Sequence, residues 1–257
     1  MAARKKIYFE QPLNERIRTF LRLEALFDQA DHQIRGSSIW DSKNSLTSLI
    51  DILTIFSRLD IKSELMKELE RHIKKLQLIE PDPKVDGEKL QSIIAELQDP
   101  LAKLHSINGK VGQELMSNEF LSSIRQRASM PGGSCAFDLP FFHHWLNRPS
   151  AERQNDIGRW FSTFDAIREA LVLVFELMRT SAPMTTVTAE QGFYQESLDT
   201  NYPCQLIRVC TPLDADYFPE ISGGRHRFSV RFLSQTVESR PTQVNHNVTF
   251  ELLRCVL

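Results

Sequence analysis

The stretch RHRFSVRFLS, Arg225 to Ser234, decides the fold class. Phe228, Val230 and Phe232 alternate with Arg227, Ser229 and Arg231. Side chains of a strand point to opposite faces in turn, so this pattern puts an apolar row on one side and a charged or small row on the other. That is a half-buried strand. TTVTAEQGFYQES, QLIRVCTPL and NVTFELLRCVL have the same texture, rich in β-branched and aromatic residues and separated by turn residues. Together they predict an antiparallel β-sheet module over residues 183–257.

Upstream of Pro183 the period changes from two to that of a helix. Asn14 is a plausible N-cap for ERIRTFLRLEALFDQADHQI, in which Ile17, Phe20, Leu21, Phe27 and Ala30 form one stripe. Ser37 and Ser38 open a loop, and SLTSLIDILTIFSRL reads as a second helix. IKSELMKELERHIKKLQLIE reads as a third, with Ile61, Leu65, Leu69, Ile73 and Leu76 as its stripe and Pro81 and Pro83 as its stop. A fourth runs from Gly87 to Gln98 and is closed by Pro100, with short helices over Asp99–Ser106 and Ser117–Gln126. A further helix lies around Leu139–Leu146, capped by Asp138, and a long one over Ser150–Thr180 breaks near Gly158. The N-terminal segment KKIYFE, residues 5–10, reads as a strand that joins the C-terminal sheet. The expected fold is α+β, with an N-terminal multi-helix domain (13–182) and a C-terminal antiparallel β-strand domain (183–257) that takes in the N-terminal strand.

Composition narrows the function. The chain has 257 residues, 41% of them hydrophobic and 25% charged, and a net charge of -2. Those values suit a globular protein with a sizeable core. The near-neutral balance gives no global case for nucleic-acid binding, which calls for a basic excess. The most apolar run, AIREALVLVFELM, is interrupted by Arg168, Glu169 and Glu176. MAARKKIYFEQP has a basic start but no apolar signal-peptide region. The cytosol is therefore the expected compartment. Cys135, Cys204, Cys210 and Cys255 form no C-x-x-C pair and read as buried or semi-buried free thiols.

The chemically crowded stretch is RQRASMPGGSCAFDLPFFHHWL, Arg125 to Leu146. His143 and His144 are adjacent, so on a helix they point about 100° apart, whereas helical metal pairs sit three or four residues apart; one of the two is expected to pack inside and the other to sit at the surface. Cys135 precedes the helix, with His143 about two turns along it, too far for a direct hydrogen bond. A cysteine- or metal-dependent enzyme centred on Cys135 and His143 is the alternative reading. The simpler one is a turn at Pro131-Gly132-Gly133 followed by a helix. No nucleotide, zinc-protease or hydrolase motif occurs.

The arginines are grouped. Arg125 and Arg127 lie in a stretch with no acid between Glu119 and Asp138. Arg225, His226, Arg227 and Arg231 lie in one with no acid between Glu220 and Glu238, and Arg18 and Arg22 form a third group. A single cluster of this kind is most simply a solvated surface. A groove built from several would receive a carboxylate-bearing peptide, because the guanidinium fork pairs bidentately with carboxylates. A nucleic-acid module using the same arginines is a further alternative.

Four blocks carry a resemblance: FEQPLNERIRTFLRLE, RQRASMPGGSCAFDLPFFHHWL, SAP-x8-GFYQ (Ser181 to Gln195) and YFPEISGGRHRFSVRF (Tyr217 to Phe232). Together they resemble the ZapD family of Z-ring-associated bacterial cell division proteins. The resemblance implies a helical domain, a β-strand domain and a homodimer. It implies a non-enzymatic protein without cofactor or metal, which binds the C-terminal tail of FtsZ and bundles FtsZ filaments at midcell in the cytoplasm, lowering FtsZ GTPase activity. It implies no nucleic-acid partner and no membrane insertion. Carried onto this chain, Arg22, His143, Arg227 and Arg231 are the tail-binding candidates, with Arg225, Arg125 and Arg127 beside them. MSNEF carries Glu119 where relatives tend to be basic, and Gln235–Asn247 matches weakly.

Overall fold

The computed structural model describes residues 5–78, 86–128, 130–199, 201–235 and 238–256. Among them run β1 (Lys6–Pro12), α1 (Glu15–Ile34), α2 (Ile39–Arg58), α3 (Ile61–Gln77), α4 (Gly87–Ser106), α5 (Gln113–Ser117), α6 (Glu119–Arg127), α7 (Pro140–Leu146), α8 (Ser150–Ser162) and α9 (Asp165–Thr180). Seven strands follow: β2 (Met184–Ala189), β3 (Phe193–Ser197), β4 (Leu206–Pro212), β5 (Phe218–Gly223), β6 (Arg227–Ser234), β7 (Thr242–Gln243) and β8 (Val248–Cys255). The fold is α+β, helices first and antiparallel strands last, with β1 joined to the strand module by pairing with β4. By their contacts, residues fall into two units. One is the chain up to Thr19 together with the chain from Phe175 onward; the other is Phe20–Val174.

In the helical unit, local chemistry sets the helix starts and apolar stripes set the packing. Ser38 caps α2 in a reciprocal box with Asp41: the Asp41 backbone N–H donates to the Ser38 hydroxyl and the Ser38 N–H to the Asp41 carboxylate. This box starts the helix at Ile39, six residues before the start expected from the apolar run at Ser45. The α3 stripe is as expected, with Ile61, Leu65, Leu69, Ile73 and Leu76 all buried. Pro81 and Pro83, expected to stop α3, lie outside the described residues, as do Ile79, Glu80 and the terminal Leu257.

Three expectations are corrected here. Pro100 does not close α4, which continues through it to Ser106. The ring takes a place in the buried stripe Ile94, Leu97, Pro100, Leu104, so packing holds the helix together where one backbone donor is missing. The long C-terminal helix breaks at Thr163–Phe164, between α8 and α9, not at Gly158. Phe164 is wholly buried, its ring centroid 5.0 Å from that of Phe56 and 6.1 Å from that of Phe27. Nothing crowds Gly158, which is an ordinary helical residue. Finally, Leu23 rather than Leu21 completes the buried stripe of α1.

The strand unit contains two sheets, ordered β1-β4-β8-β2 and β3-β6-β5, with β7 paired to β6. Their inner rows share one core that includes Ile207, Val209, Phe228, Val230, Phe232, Phe250 and Leu252. Phe232 lies at the centre, 5.0 Å from the Phe250 ring and 5.5 Å edge-on from that of Tyr217. The division into two sheets was not apparent from the pattern of strands, and β5 was not expected as a strand. In register, Glu220 of β5 and Phe193 of β3 lie opposite the same residue of β6, Arg231.

Candidate functional site

The fold uses many of its arginines internally. Arg153 is buried and donates to the Ser42 hydroxyl at 3.0 Å and to the carbonyls of Ser37 and Arg148. Arg208 and Arg179 share Glu10, at 2.7 and 2.8 Å. Arg168 pairs with Asp31. Arg254 meets Glu196 through two bonds of 2.6 Å. Burial pushes the Glu196 carboxyl up, but the bonds from Arg254 and from the Tyr194 hydroxyl outweigh it, and its net pKa lies below the ordinary carboxylate value. These guanidiniums hold the structure together and are not free to meet a partner.

The sequence-nominated cations are of a different kind. In the strand unit, Arg225 and Arg227 are exposed, and neither has an ion pair among the described residues. They flank an open depression of about 450 Å³ at the β5–β6 hairpin, lined also by Gln195, Ser222 and Ser229. The hairpin is closed by the Gly224 N–H donating to the Arg227 carbonyl at 3.0 Å. Arg231 stands four residues further along the same face, exposed, with the Glu220 carboxylate 3.8 Å away. The predicted alternation is present: Phe228, Val230 and Phe232 are buried, while Arg227 and Arg231 point outward.

On α1, Arg22 is exposed, without an ion pair among the described residues, whereas Arg18 pairs with Glu15 at 3.2 Å. Arg125 and Arg127 lie in the last turn of α6 and are partly exposed. Arg127 donates to Asp138 at 3.2 Å. This corrects the expected role of Asp138: α7 is capped by Leu139, without a side-chain cap bond, and the Asp138 carboxylate serves Arg127 instead. Phe120 links α6 to its neighbours, its ring centroid 5.5 Å from those of Phe141 and Trp145 and 5.7 Å from that of Trp160. His143 and His144 are both exposed; Phe142 and Trp145 turn inward. The expectation that one of the two histidines packs inside is therefore corrected. Glu119 sits in the first turn of α6 behind the Asn118 cap, where the helix dipole favours an acid.

The loop between α6 and α7 is set by its glycines. Gly132 has φ 71°, and a Cβ at Gly133 would meet the Arg127 carbonyl oxygen at 2.5 Å. Cys135 on this loop is exposed; the other three cysteines are buried. The reading of all four as buried or semi-buried is corrected at Cys135, which a tight surface turn holds outward. No group of three or more His, Cys, Asp or Glu able to hold a metal occurs among the described residues.

A family model described as ZapD, cell division protein, matches residues 21–231. The cell division protein ZapD of Methylococcus capsulatus is 39% identical over 254 residues, covering 99% of this chain and 100% of that protein. The chain belongs to the ZapD family. Its place is thus in bacterial cell division, and the match takes in both units and every nominated cation. Among the described residues, no helix is long and apolar enough to cross a membrane. Sequence reasoning missed Phe193 and Glu220, the two flanks of Arg231. Period-two alternation in GFYQES puts Phe193 outward, but no sequence pattern names the strand on which it lands.

Proposed function

We propose that this ZapD-family protein binds the C-terminal tail of FtsZ and bundles FtsZ filaments at the division site in the cytoplasm, lowering FtsZ GTPase activity. It acts by binding and not by catalysis. The observation that carries the reading is the sorting of the arginines. Arg153, Arg168, Arg179, Arg208 and Arg254 are engaged by the fold, while Arg22, Arg125, Arg225 and Arg227 stand at the surface with no carboxylate paired to them among the described residues. Arg231 has only a loose, solvent-exposed partner in Glu220, Arg127 is partly engaged by the half-buried Asp138, and His143 adds a surface hydrogen-bonding ring. Guanidiniums in this state keep their forks available to the carboxylates of a peptide.

A cross-linker needs at least two such surfaces, and a homodimer with a two-fold axis supplies two identical ones. Each tail contact is weak because exposed pairs are weak. A filament displays many tails, and effective concentration makes the bridge firm. Co-sedimentation with FtsZ polymers tests the reading. The protein is expected to pellet with full-length polymers and to stay in the supernatant when the FtsZ tail is removed. Equal pelleting with and without the tail would refute it.

A further inference from the structure

The outer face of the β3-β6-β5 sheet has a composition of its own. By register it presents Phe193, Gln195 and Ser197 from β3, Arg227, Ser229, Arg231 and the buried Leu233 from β6, and Phe218, Glu220 and Ser222 from β5. Around Ser229 its floor is small and polar, and its prongs are the two arginines. Glu220 is the one acid among these residues. It lies directly opposite Arg231 on one flank, while Phe193 lies directly opposite on the other. Arg231 and Glu220 are 3.8 Å apart, and their side chains are 52% and 60% exposed. That separation is too long for a charge-assisted hydrogen bond, which closes to about 2.7–2.9 Å. The pair is loose, and water reaches both partners. Phe193 keeps 39% of its surface exposed, unusual for a ring on a strand whose other outward residues are Gln and Ser.

We infer that Glu220 is an internal stand-in for the ligand carboxylate, displaced from Arg231 when an acidic peptide binds, and that Phe193 is the apolar contact of the same subsite. Neighbouring strands lie about 4.8 Å apart, and same-face side chains of an extended peptide about 6.7 Å apart. The subsite therefore takes a carboxylate with an apolar side chain within two residues of it. This rests on the proposed tail-binding role and names what that surface selects. Glu220 acts as a filter. It offers the Arg231 fork a loose competing charge when the site is empty and sets a small threshold that a ligand carboxylate must overcome. The apolar contact on Phe193 supplies the difference for a matching peptide. Charge complementarity names the occupant, since Arg225, Arg227 and Arg231 leave this face in need of negative charge.

The experiment measures binding of the FtsZ tail peptide to the full chain by fluorescence anisotropy in low salt. Glu220→Gln removes the competing charge at an exposed site and is expected to tighten binding about two- to fivefold. Arg231→Ala should weaken it, and Glu220→Gln added to Arg231→Ala should give no further gain. Phe193→Thr, which keeps a strand-favouring residue, should weaken binding about two- to tenfold. It should leave unchanged the binding of a tail peptide whose apolar residues are replaced by serine. Thermal unfolding of each variant checks that the fold is intact. If Arg231→Ala weakens binding but Glu220→Gln leaves it unchanged or weaker, the displacement idea is overturned while the tail site stands. If Phe193→Thr lowers affinity equally for both peptides, the apolar contact is overturned. If Arg227→Ala and Arg231→Ala both bind as wild type, the tail-binding reading fails at this face, and this inference fails with it.

Discussion

Arg227→Glu is the substitution that separates binding from folding most cleanly. The side chain is exposed and has no ion pair among the described residues. Its register partner is Ser197, which is also exposed. The strand it sits on is held from the other face, where Phe228, Val230 and Phe232 are each no more than 1% exposed. Stability should thus change by less than about 0.5 kcal/mol. Binding should change by more. An exposed guanidinium–carboxylate contact is worth up to about 1 kcal/mol. Charge reversal removes that attraction and adds a repulsion of similar size, giving about 2 kcal/mol, or roughly 30-fold in Kd. Under the proposed role, filament bundling should fall further, because a cross-link made by a dimer would use two such sites. The assay is tail-peptide anisotropy at 0.05 M and 0.5 M salt, alongside thermal unfolding and pelleting with FtsZ. The gap between wild type and variant should shrink at the higher salt, where exposed charges are screened within about 4 Å. A variant that melts like wild type and binds within twofold of it at low salt would refute the placement of Arg227 in the site.

Two further predictions concern the strand unit and the thiols. Cys135 is exposed, while burial pushes the Cys204 thiol up to about 11 and the Cys255 thiol up to about 12 and also raises that of Cys210. A thiol reagent at pH 8 should label one cysteine per native chain, lost in Cys135→Ser, and three more only after denaturation; rapid labelling of all four in the native protein contradicts the buried placement. Glu196, held by Arg254, has a folded pKa below its ordinary value of 4.5. Its contribution to stability is therefore present above that value and is lost as pH falls through the lower folded one. Glu196→Gln should lower the melting temperature at pH 7, and the gap to wild type should narrow as the pH falls below about 4.5; a gap that is independent of pH between 7 and 3 removes the ion pair from the account.

Much of the fold was legible wherever a short-range rule suffices. Asn14 starts α1 as an N-cap, its side-chain oxygen accepting from the Ile17 N–H at 2.9 Å. The α3 stripe and the alternation of β6 needed only periods of 3.6 and 2. The misreadings share a cause, in that a distant contact overrode a local signal. Pro100 signals a stop, but its ring has an apolar site to fill in α4. Gly158 signals a break, but the chain turns where Phe164 enters the core beside Phe56. Asp138 reads as a cap, but the cap position falls one residue later, at Leu139, and the Asp138 carboxylate pairs with Arg127. Of the candidate site, the residue types were readable. Which arginines the fold had already engaged was not, because Arg153 and Arg254 look no different in sequence from Arg227 and Arg225.

The sequence by itself determined the α+β class, the order of helices and strands, and the family, since composition, periodicity and motif blocks are properties of neighbours along the chain. Only the tertiary structure decided that the strands form two sheets over one core, that Cys135 faces solvent, and that Arg231 stands between Phe193 and Glu220. The sheet arrangement and the setting of Arg231 depend on register between segments far apart in sequence. Register is fixed by which apolar rows can be buried together, a collective outcome that no single segment encodes.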